Sequence, residues 1–548
     1  MSLRQTLLQT VRMLRDRLPA GARARERASL RAAWGRPVDR ERDPVLVATW
    51  HDLLEEEGPT VDEATWRDLA MQEVFAAVDR TRSMPGRQWL YHQLRTYASG
   101  GVLAERSRQQ ALLIGAPGFR EEAQGILGAL DGPSAFFLAP LLLSELPERP
   151  WFAPLLALCS AAGLATLGGM VLLPAYWAPF LLAFLPVMAA NIAINALYGP
   201  RISPYLPGFS QVAILCGTGL RLAALAPAPG LPQLATCRRL GPLARRLGRE
   251  LAFVARDRVR AGGILQSMLA YLNLILLLDI QAFLWNLGRL KRHRRDMLEL
   301  LEAVASLDAA LAAASYRDGL PTVTTPALGE GRALRVRGLR HPLLAHPVGN
   351  DLDLDAPGAL ITGSNMTGKT TFVRTVGVNL ILARTLHLCL AEEALLPRAV
   401  VRSSIRREDS QEEGKSYHYA ELERIRAFVE EAGEEDLRLF LVDEIFRGTN
   451  TPERLASAAA VLRHLAERHL VLVTTHDGEL QGMVGEAFRV FHFSEEVVDG
   501  RCAFDYRIHA GPARSRNAIR LLEILGYPEP ITREAHRFAD GSPAAVQG

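Results

Sequence analysis

The chain has 548 residues and a formal net charge of +3, from 63 Lys+Arg against 60 Asp+Glu. That length is several domains' worth, and 49% hydrophobic with 22% charged residues excludes a disordered or collagen-like chain. The near-neutral balance makes no global case for a polyanionic partner, so any basic surface must be local.

Residues 1–45 read as a basic N-terminal arm. Positions 1–36 carry nine arginines against Asp16 and Glu26, in a helix-compatible pattern broken at Pro19 and Gly21. A solvated amphipathic arm and an arm touching acidic lipid or nucleic acid both fit. No apolar signal region opens the chain, and Cys159, Cys216, Cys237, Cys389 and Cys502 lie too far apart for metal spacing, which favours a reducing compartment. Residues 46–150 show apolar positions at three- and four-residue intervals and read as a helical core.

Between Arg149 and Arg201 no charged side chain occurs for 51 residues. At ~20 apolar residues per span this is room for two transmembrane helices, and 151–199 is expected to be a hairpin with Pro174 at its turn and aromatic residues near its ends. The alternative is a buried hairpin in a soluble domain. Asn191 and Asn195, four apart, would hydrogen-bond across the pair or toward a second copy. Residues 200–319 read as a basic segment followed by long lever helices. Positions 201–260 hold ten arginines against Glu250 and Asp257, which places that side in the cytoplasm. Residues 261–288 are apolar but interrupted by Asp279; a long buried helix is preferred there over a third span, which would put the two halves of the chain on opposite sides. Arg289, Lys291, Arg292, Arg294 and Arg295 follow as a short basic run.

After Gly319 short apolar runs alternate with helical ones, an α/β texture, and 320–530 reads as one such domain before a tail at 531–548. Gly363-Ser364-Asn365-Met366-Thr367-Gly368-Lys369-Thr370 fits G-x-x-x-x-G-K-[ST] between a short apolar strand and a helical run. Such a loop holds phosphates on inward-pointing amides at a helix N-terminus, so these residues with Thr371 are the expected nucleotide set. Lys369 would reach the β- and γ-phosphates and Thr370 would ligate Mg²⁺. The chain has only three lysines, Lys291, Lys369 and Lys415, so the ammonium here is a departure from its general use of arginine. The apolar run 437–442 delivers Asp443 and Glu444, the first for magnesium and the second to polarise the attacking water. A third apolar run ends at His476, near the terminal phosphate or the water.

These segments together resemble the MutS mismatch-repair ATPases of the ABC superfamily. GSNMTGKTT is similar to their phosphate loop, DEIFRGTNTPE to their magnesium strand, and TTHDGEL to their switch-histidine segment. DSQEEGKSYHYAELERI resembles their signature segment, a likeness that implies Ser416 reaches the nucleotide of the opposite subunit. VDRTRSMPGRQWLYHQL, LDAALAAAS, GLRHPLLAHPVGNDLDL and GPARSRNAIRLLEILGYP are similar to the family's core, lever, lead-in and dimerising segments. The first 150 residues are read as lacking the mismatch-reading domain and its Phe-x-Glu wedge, no room is expected for a C-terminal nuclease domain, and the uncharged hairpin marks a membrane-embedded branch.

The resemblance therefore implies a multidomain chain: an α-helical core and lever region with an inserted transmembrane hairpin, then an ABC-type P-loop ATPase domain. It implies ATP and Mg²⁺ as cofactors, a homodimer through the ATPase domains, and hydrolysis by Lys369, Glu444 and His476. Two functions stay open. One is a cytoplasmic-membrane ATPase, its ATPase domain facing the cytoplasm, that uses ATP to switch a dimeric clamp on mismatched or structured DNA. The other is a nucleotide-gated membrane scaffold acting on a protein or lipid partner without DNA.

Overall fold

The computed structural model describes residues 20–54, 58–202, 205–225, 230–251, 275–364, 367–405, 417–446, 451–498, 501–512, 519, 522–523 and 526–539. The chain divides into two compact units. The first comprises Met1–Glu56, Val78–His92 and Arg108–Gly319, and the second Glu57–Ala77, Gln93–Ser107 and Leu320–Gly548.

The first unit is helical among its described residues. Three of its helices matter most here: α1 (Ala153–Leu172), α2 (Trp177–Ile202) and α3 (Arg294–Asp318). In α3 the fully buried Leu300, Leu301, Leu307 and Leu311 are spaced by Ala305, Ala309, Ala312 and Ala314, which are also buried. Small residues let neighbouring helices close in, and each buried leucine contributes roughly 2 kcal/mol relative to exposure.

Ionisable side chains lie inside this unit, Asp308 among them. Asp308 on α3 accepts hydrogen bonds from Arg82 N at 2.9 Å, Ser83 N at 2.8 Å and Ser83 Oγ at 2.6 Å. It thereby satisfies amides at the start of helix Met84–Arg95, where a carboxylate is also favoured by the helix dipole. Gly86 permits the approach, since a Cβ there would stand 2.2 Å from Asp308 Oδ2. Asp79 alongside pairs with Arg42 at 2.8 Å and Arg87 at 3.6 Å.

The wedge expectation needs correcting at one place. Phe119-Arg120-Glu121 does spell Phe-x-Glu, within helix Pro117–Leu127. Phe119 is half-buried against the core, and the buried Glu121 takes Arg31 at 2.7 Å. The triplet is engaged in packing and in an ion pair within its own unit.

Among the described residues, two helical stretches are long and apolar enough to cross a membrane: α1, with 20 residues, and Pro174–Ile202, with 29, which contains α2. Leu155, Leu158, Leu164, Leu182, Leu185 and Leu197 on them are exposed. These side chains are left uncovered by the other described residues, where a buried hairpin would have them packed. Within the chain, Asn191 Nδ2 donates to Ile275 O at 2.7 Å rather than across the hairpin. Of the apolar segment 261–288, positions 261–274 lie outside the described residues, and Leu278–Arg292 is helical.

The second unit carries β1 (Ala327–Gly329), β2 (Leu334–Leu339), β3 (Asn350–Leu354), β4 (Gly358–Thr362), β5 (Glu393–Pro397), β6 (Val400–Ser404), β7 (Arg438–Asp443), β8 (Leu470–Thr474), β9 (Phe488–Val498) and β10 (Arg501–Ala510). One sheet has the order β1-β5-β2-β3; the other runs β10-β9-β4-β8-β7-β6. In the six-stranded sheet every neighbouring pair is parallel except β9 with β10. A parallel sheet must be covered on both faces, which is why β7 and β8 read as unbroken apolar runs. The unit's helices include α4 (Lys369–Thr385), α5 (Tyr417–Glu431) and α6 (Thr451–Arg468). In α6 the buried stripe is Leu455, Ala458, Leu462 and Leu465.

Residues 57–77 and 93–107 belong to this unit rather than to the helical one. Asp68 Oδ2 accepts from Ser403 Oγ at 2.8 Å and Ile405 N at 2.9 Å, Thr65 Oγ1 accepts from Ser403 N at 3.1 Å, and Tyr97 OH accepts from Val401 N at 3.1 Å. They cover strand β6, the outer edge of the sheet, and satisfy amides that would otherwise be open to another chain.

Candidate functional site

The site lies where β4, β7 and β8 end. After Thr362 the chain turns at Gly363, whose φ is +141° and where a Cβ would stand 2.7 Å from Phe493 O. Gly368, at φ +104°, ends the loop and leads into α4. Both positions require glycine, for close approach and for left-handed backbone. Between them, Thr367 Oγ1 donates to Ser364 O at 2.9 Å and Ser364 Oγ donates to Glu495 Oε2 at 2.6 Å. Asn365, Met366 and Ser416 lie outside the described residues.

Lys369 is the first residue of α4 and is only 5% exposed. Its Nζ donates to Gly363 O and Ser364 O, each at 2.7 Å, so the ammonium is folded across the loop's own carbonyls. The first amides of α4 have no partner within the helix and carry its positive dipole end, so the loop is set up to hold an anion. Thr370 Oγ1 lies 3.1 and 3.0 Å from the two carboxylate oxygens of Asp443. Thr474 at the end of β8 also donates its hydroxyl to Asp443. A carboxylate facing a hydroxyl is the hard-oxygen donor set that Mg²⁺ takes, with water and phosphate oxygens completing it. Thr371 is exposed in the first turn of α4, where its carbonyl accepts from Thr375 Oγ1 at 2.6 Å.

Glu444 follows β7 with φ +57°, and Phe446 has φ +59°. Left-handed backbone at a residue with a Cβ costs of order 1–3 kcal/mol and persists only where the surroundings impose it. They do so here: Glu444 N donates to Thr474 O at 3.1 Å, and Phe446 N donates to Glu421 Oε1 at 2.6 Å. The turn aims the Glu444 side chain at His476, with Oε1 2.7 Å from Nε2. Their side chains are 12% and 34% exposed, so the pair is reachable from solvent without being fully solvated.

The structure thus brings Gly363, Ser364, Thr367, Gly368, Lys369, Thr370, Asp443, Glu444 and His476 to one sheet edge. Three further residues were not singled out by pattern. Thr474 had a signal, a hydroxyl closing an otherwise apolar strand. Glu421 and Glu495 had none, because nothing in their segments distinguishes them from solvated carboxylates.

Residues 359–541 match the family model of MutS domain V. The chain is similar to a DNA mismatch repair protein MutS of Thermus thermophilus, 31% identical over 275 residues, covering 49% of this chain and 33% of that protein. It is similar to DNA mismatch repair protein MutS 2 of Halobacterium salinarum, 32% identical over 267 residues, covering 46% and 29%. It is also similar to Endonuclease MutS2 of Halothermothrix orenii, 31% identical over 265 residues, covering 47% and 33%. The matched region spans about a third of the length of these relatives.

Proposed function

We propose, on the premise that residues 359–541 belong to the MutS domain V family, that this chain is a membrane-anchored ATPase whose nucleotide state switches a dimeric clamp on DNA. The observation that carries the reading is the convergence of the 363–370 loop, Asp443, Glu444 and His476 at the carboxyl ends of three adjacent strands, the place where open α/β sheets bind ligands. In this reading residues 320–530 are the ATPase domain and 151–199 the anchor, in the cytoplasmic membrane with the ATPase toward the cytoplasm.

Each side chain has a part in ATP hydrolysis. Lys369 exchanges the Gly363 and Ser364 carbonyls for the β- and γ-phosphates. Thr370 and Asp443 hold Mg²⁺, which when bound offsets charge on the phosphates. Glu444 orients a water and takes its proton, while His476, already held by Glu444, faces the terminal phosphate. Ser416 completes the site of the opposite subunit, so occupancy couples to dimer geometry.

Glu444→Gln should retain ATP while turnover falls by about 10²–10⁴, and Lys369→Ala should lose ATP binding; filter binding and phosphate release read both. Turnover of Glu444→Gln at the parent rate would remove the general-base role.

The three relatives are named for DNA mismatch repair or nuclease action, which favours DNA as the partner. Binding should then weaken steeply with salt, since phosphate contacts release counterions. A second reading, a nucleotide-gated scaffold for a protein or lipid, is favoured by the position of the arginines at 201–260 and 289–295, which flank the apolar hairpin. Measuring ATPase rate with and without duplex DNA across a salt series separates the two. Stimulation that fades with salt supports the clamp, and no DNA response supports the scaffold.

A further inference from the structure

A helix break lies against the apolar hairpin. Leu277 has φ +49°, which interrupts the segment just before helix Leu278–Arg292 and leaves carbonyls without helical partners. Polar side chains take them up. Asn191 Nδ2 donates to Ile275 O at 2.7 Å, Ser160 Oγ donates to Leu276 O at 2.7 Å, and Gln281 Nε2 donates to Leu276 O at 2.6 Å. Irregular backbone at membrane depth is tolerated only when protein groups satisfy it in this way.

The depth of the break follows from the hairpin. Ser160 lies seven residues into α1 and Asn191 eleven before the end of α2, or ~10 and ~16 Å at 1.5 Å per residue. From there helix Leu278–Arg292 runs toward the hairpin's base. Phe283 meets Tyr205 and Phe209, just beyond α2, with ring centroids 6.0 and 5.3 Å apart. Arg289 Nε then lies 3.5 Å from Glu250 Oε2. The two ends of 251–289 are therefore neighbours outside the hairpin, while Ile275 and Leu276 sit well inside it.

At the level of the base the helix changes character. Trp285 is 67% exposed, and the Arg289 guanidinium lies 5.2 Å from its ring centroid. Trp151, at the hairpin's first residue, is 85% exposed. Lys291, Arg292 and Arg295 follow, all exposed, and among the described residues no carboxylate pairs with them. An outward tryptophan with cations one to two turns beyond it matches the ordering of a bilayer surface, apolar chains first, then the interface, then headgroup phosphates.

We propose that Trp285, Arg289, Lys291, Arg292 and Arg295 form a rim that binds anionic phospholipid headgroups, at the surface of a bilayer from whose interior Ile275–Leu284 rises beside the hairpin. This rests on the membrane anchoring proposed above. The lipid surface is favoured over nucleic acid because Arg289, Lys291 and Arg292 continue directly from the embedded segment on the helix that carries its interfacial tryptophan, with Arg295 following in the first turn of α3.

The test uses the full chain reconstituted in vesicles of equal parts phosphatidylcholine and phosphatidylglycerol, with bromine on the acyl chains of one lipid or the other. Subtracting the emission of Trp285→Phe isolates the Trp285 signal, and Trp151→Phe isolates a reference at the hairpin base. Brominated phosphatidylglycerol should quench Trp285 about twofold or more above brominated phosphatidylcholine, since each cation near an anionic leaflet favours it several-fold. The excess should vanish in a R289Q/K291Q/R292Q variant whose Trp151 quenching is unchanged. Equal quenching of Trp285 by both lipids, or none while Trp151 is quenched, overturns the rim. Absence of quenching at Trp151 as well removes the anchoring on which it rests. A triple variant that keeps the lipid preference but loses duplex DNA binding assigns the cations to nucleic acid and also overturns the proposal.

Discussion

Glu444 shows how one residue can be shaped against its own backbone preference. Its φ of +57° would suit glycine, yet a carboxylate is needed where it meets His476 at 2.7 Å. Substituting Glu444→Ala removes the carboxylate and keeps the strain, whereas Glu444→Gly removes both. The glycine variant should therefore be more stable than the alanine variant by about 1 kcal/mol, the reverse of the usual order, with turnover lost in each. Chemical denaturation compares them, and an alanine variant as stable as the glycine one would show that this turn stores no strain. The loop was legible beforehand because its glycines and lysine occupy fixed spacings that the turn at Gly363 and the helix start at Lys369 require. The strain at Glu444 was not, since no local pattern reports a backbone angle imposed by Thr474 and Glu421.

At the scale of elements, long periodic or uninterrupted apolar runs were readable and their neighbours were not. The β4, β7 and β8 runs announce buried parallel strands because both faces must be covered. The helices at 57–77 also show an apolar face, but a periodicity says which side is buried and not against what; Thr65 and Asp68 bond to β6 through contacts more than 300 residues apart in sequence. Asp308 illustrates the same limit, reading as one polar position in an alanine-rich helix until Ser83 and Gly86 are placed around it. Burial, with Asp79 nearby, pushes its carboxyl up to about 7, against the pull of the Ser83 and Arg82 hydrogen bonds. The folded chain then holds a proton that the unfolded chain releases near pH 4. Stability contributed here should be present at acid pH and fall as pH rises from about 4 to 7, by a few kcal/mol at most. Asp308→Asn should flatten that slope in thermal unfolding of the full chain. A slope equal to the parent's would locate the titration elsewhere.

For the whole molecule, the charge-free stretch was the most legible feature, because 51 residues without a charge exceed what a soluble core helix needs. Its polar contacts with Ile275 and Leu276 were hidden, as they depend on where a distant segment folds back. Anchoring predicts that an alkaline carbonate wash leaves the chain in the membrane pellet and that detergent releases it; recovery in the wash would exclude a spanning hairpin. The exposed leucines of α1 and α2 carry a further consequence for association. Copies inserted in one bilayer share an orientation and are confined to a thin layer, where linked or co-localised partners meet at effective concentrations of order millimolar. A pairing face too weak to register in dilute solution would suffice there. Diluting the chains into separate micelles should then lower ATP turnover per molecule, and returning them to densely loaded vesicles should restore it.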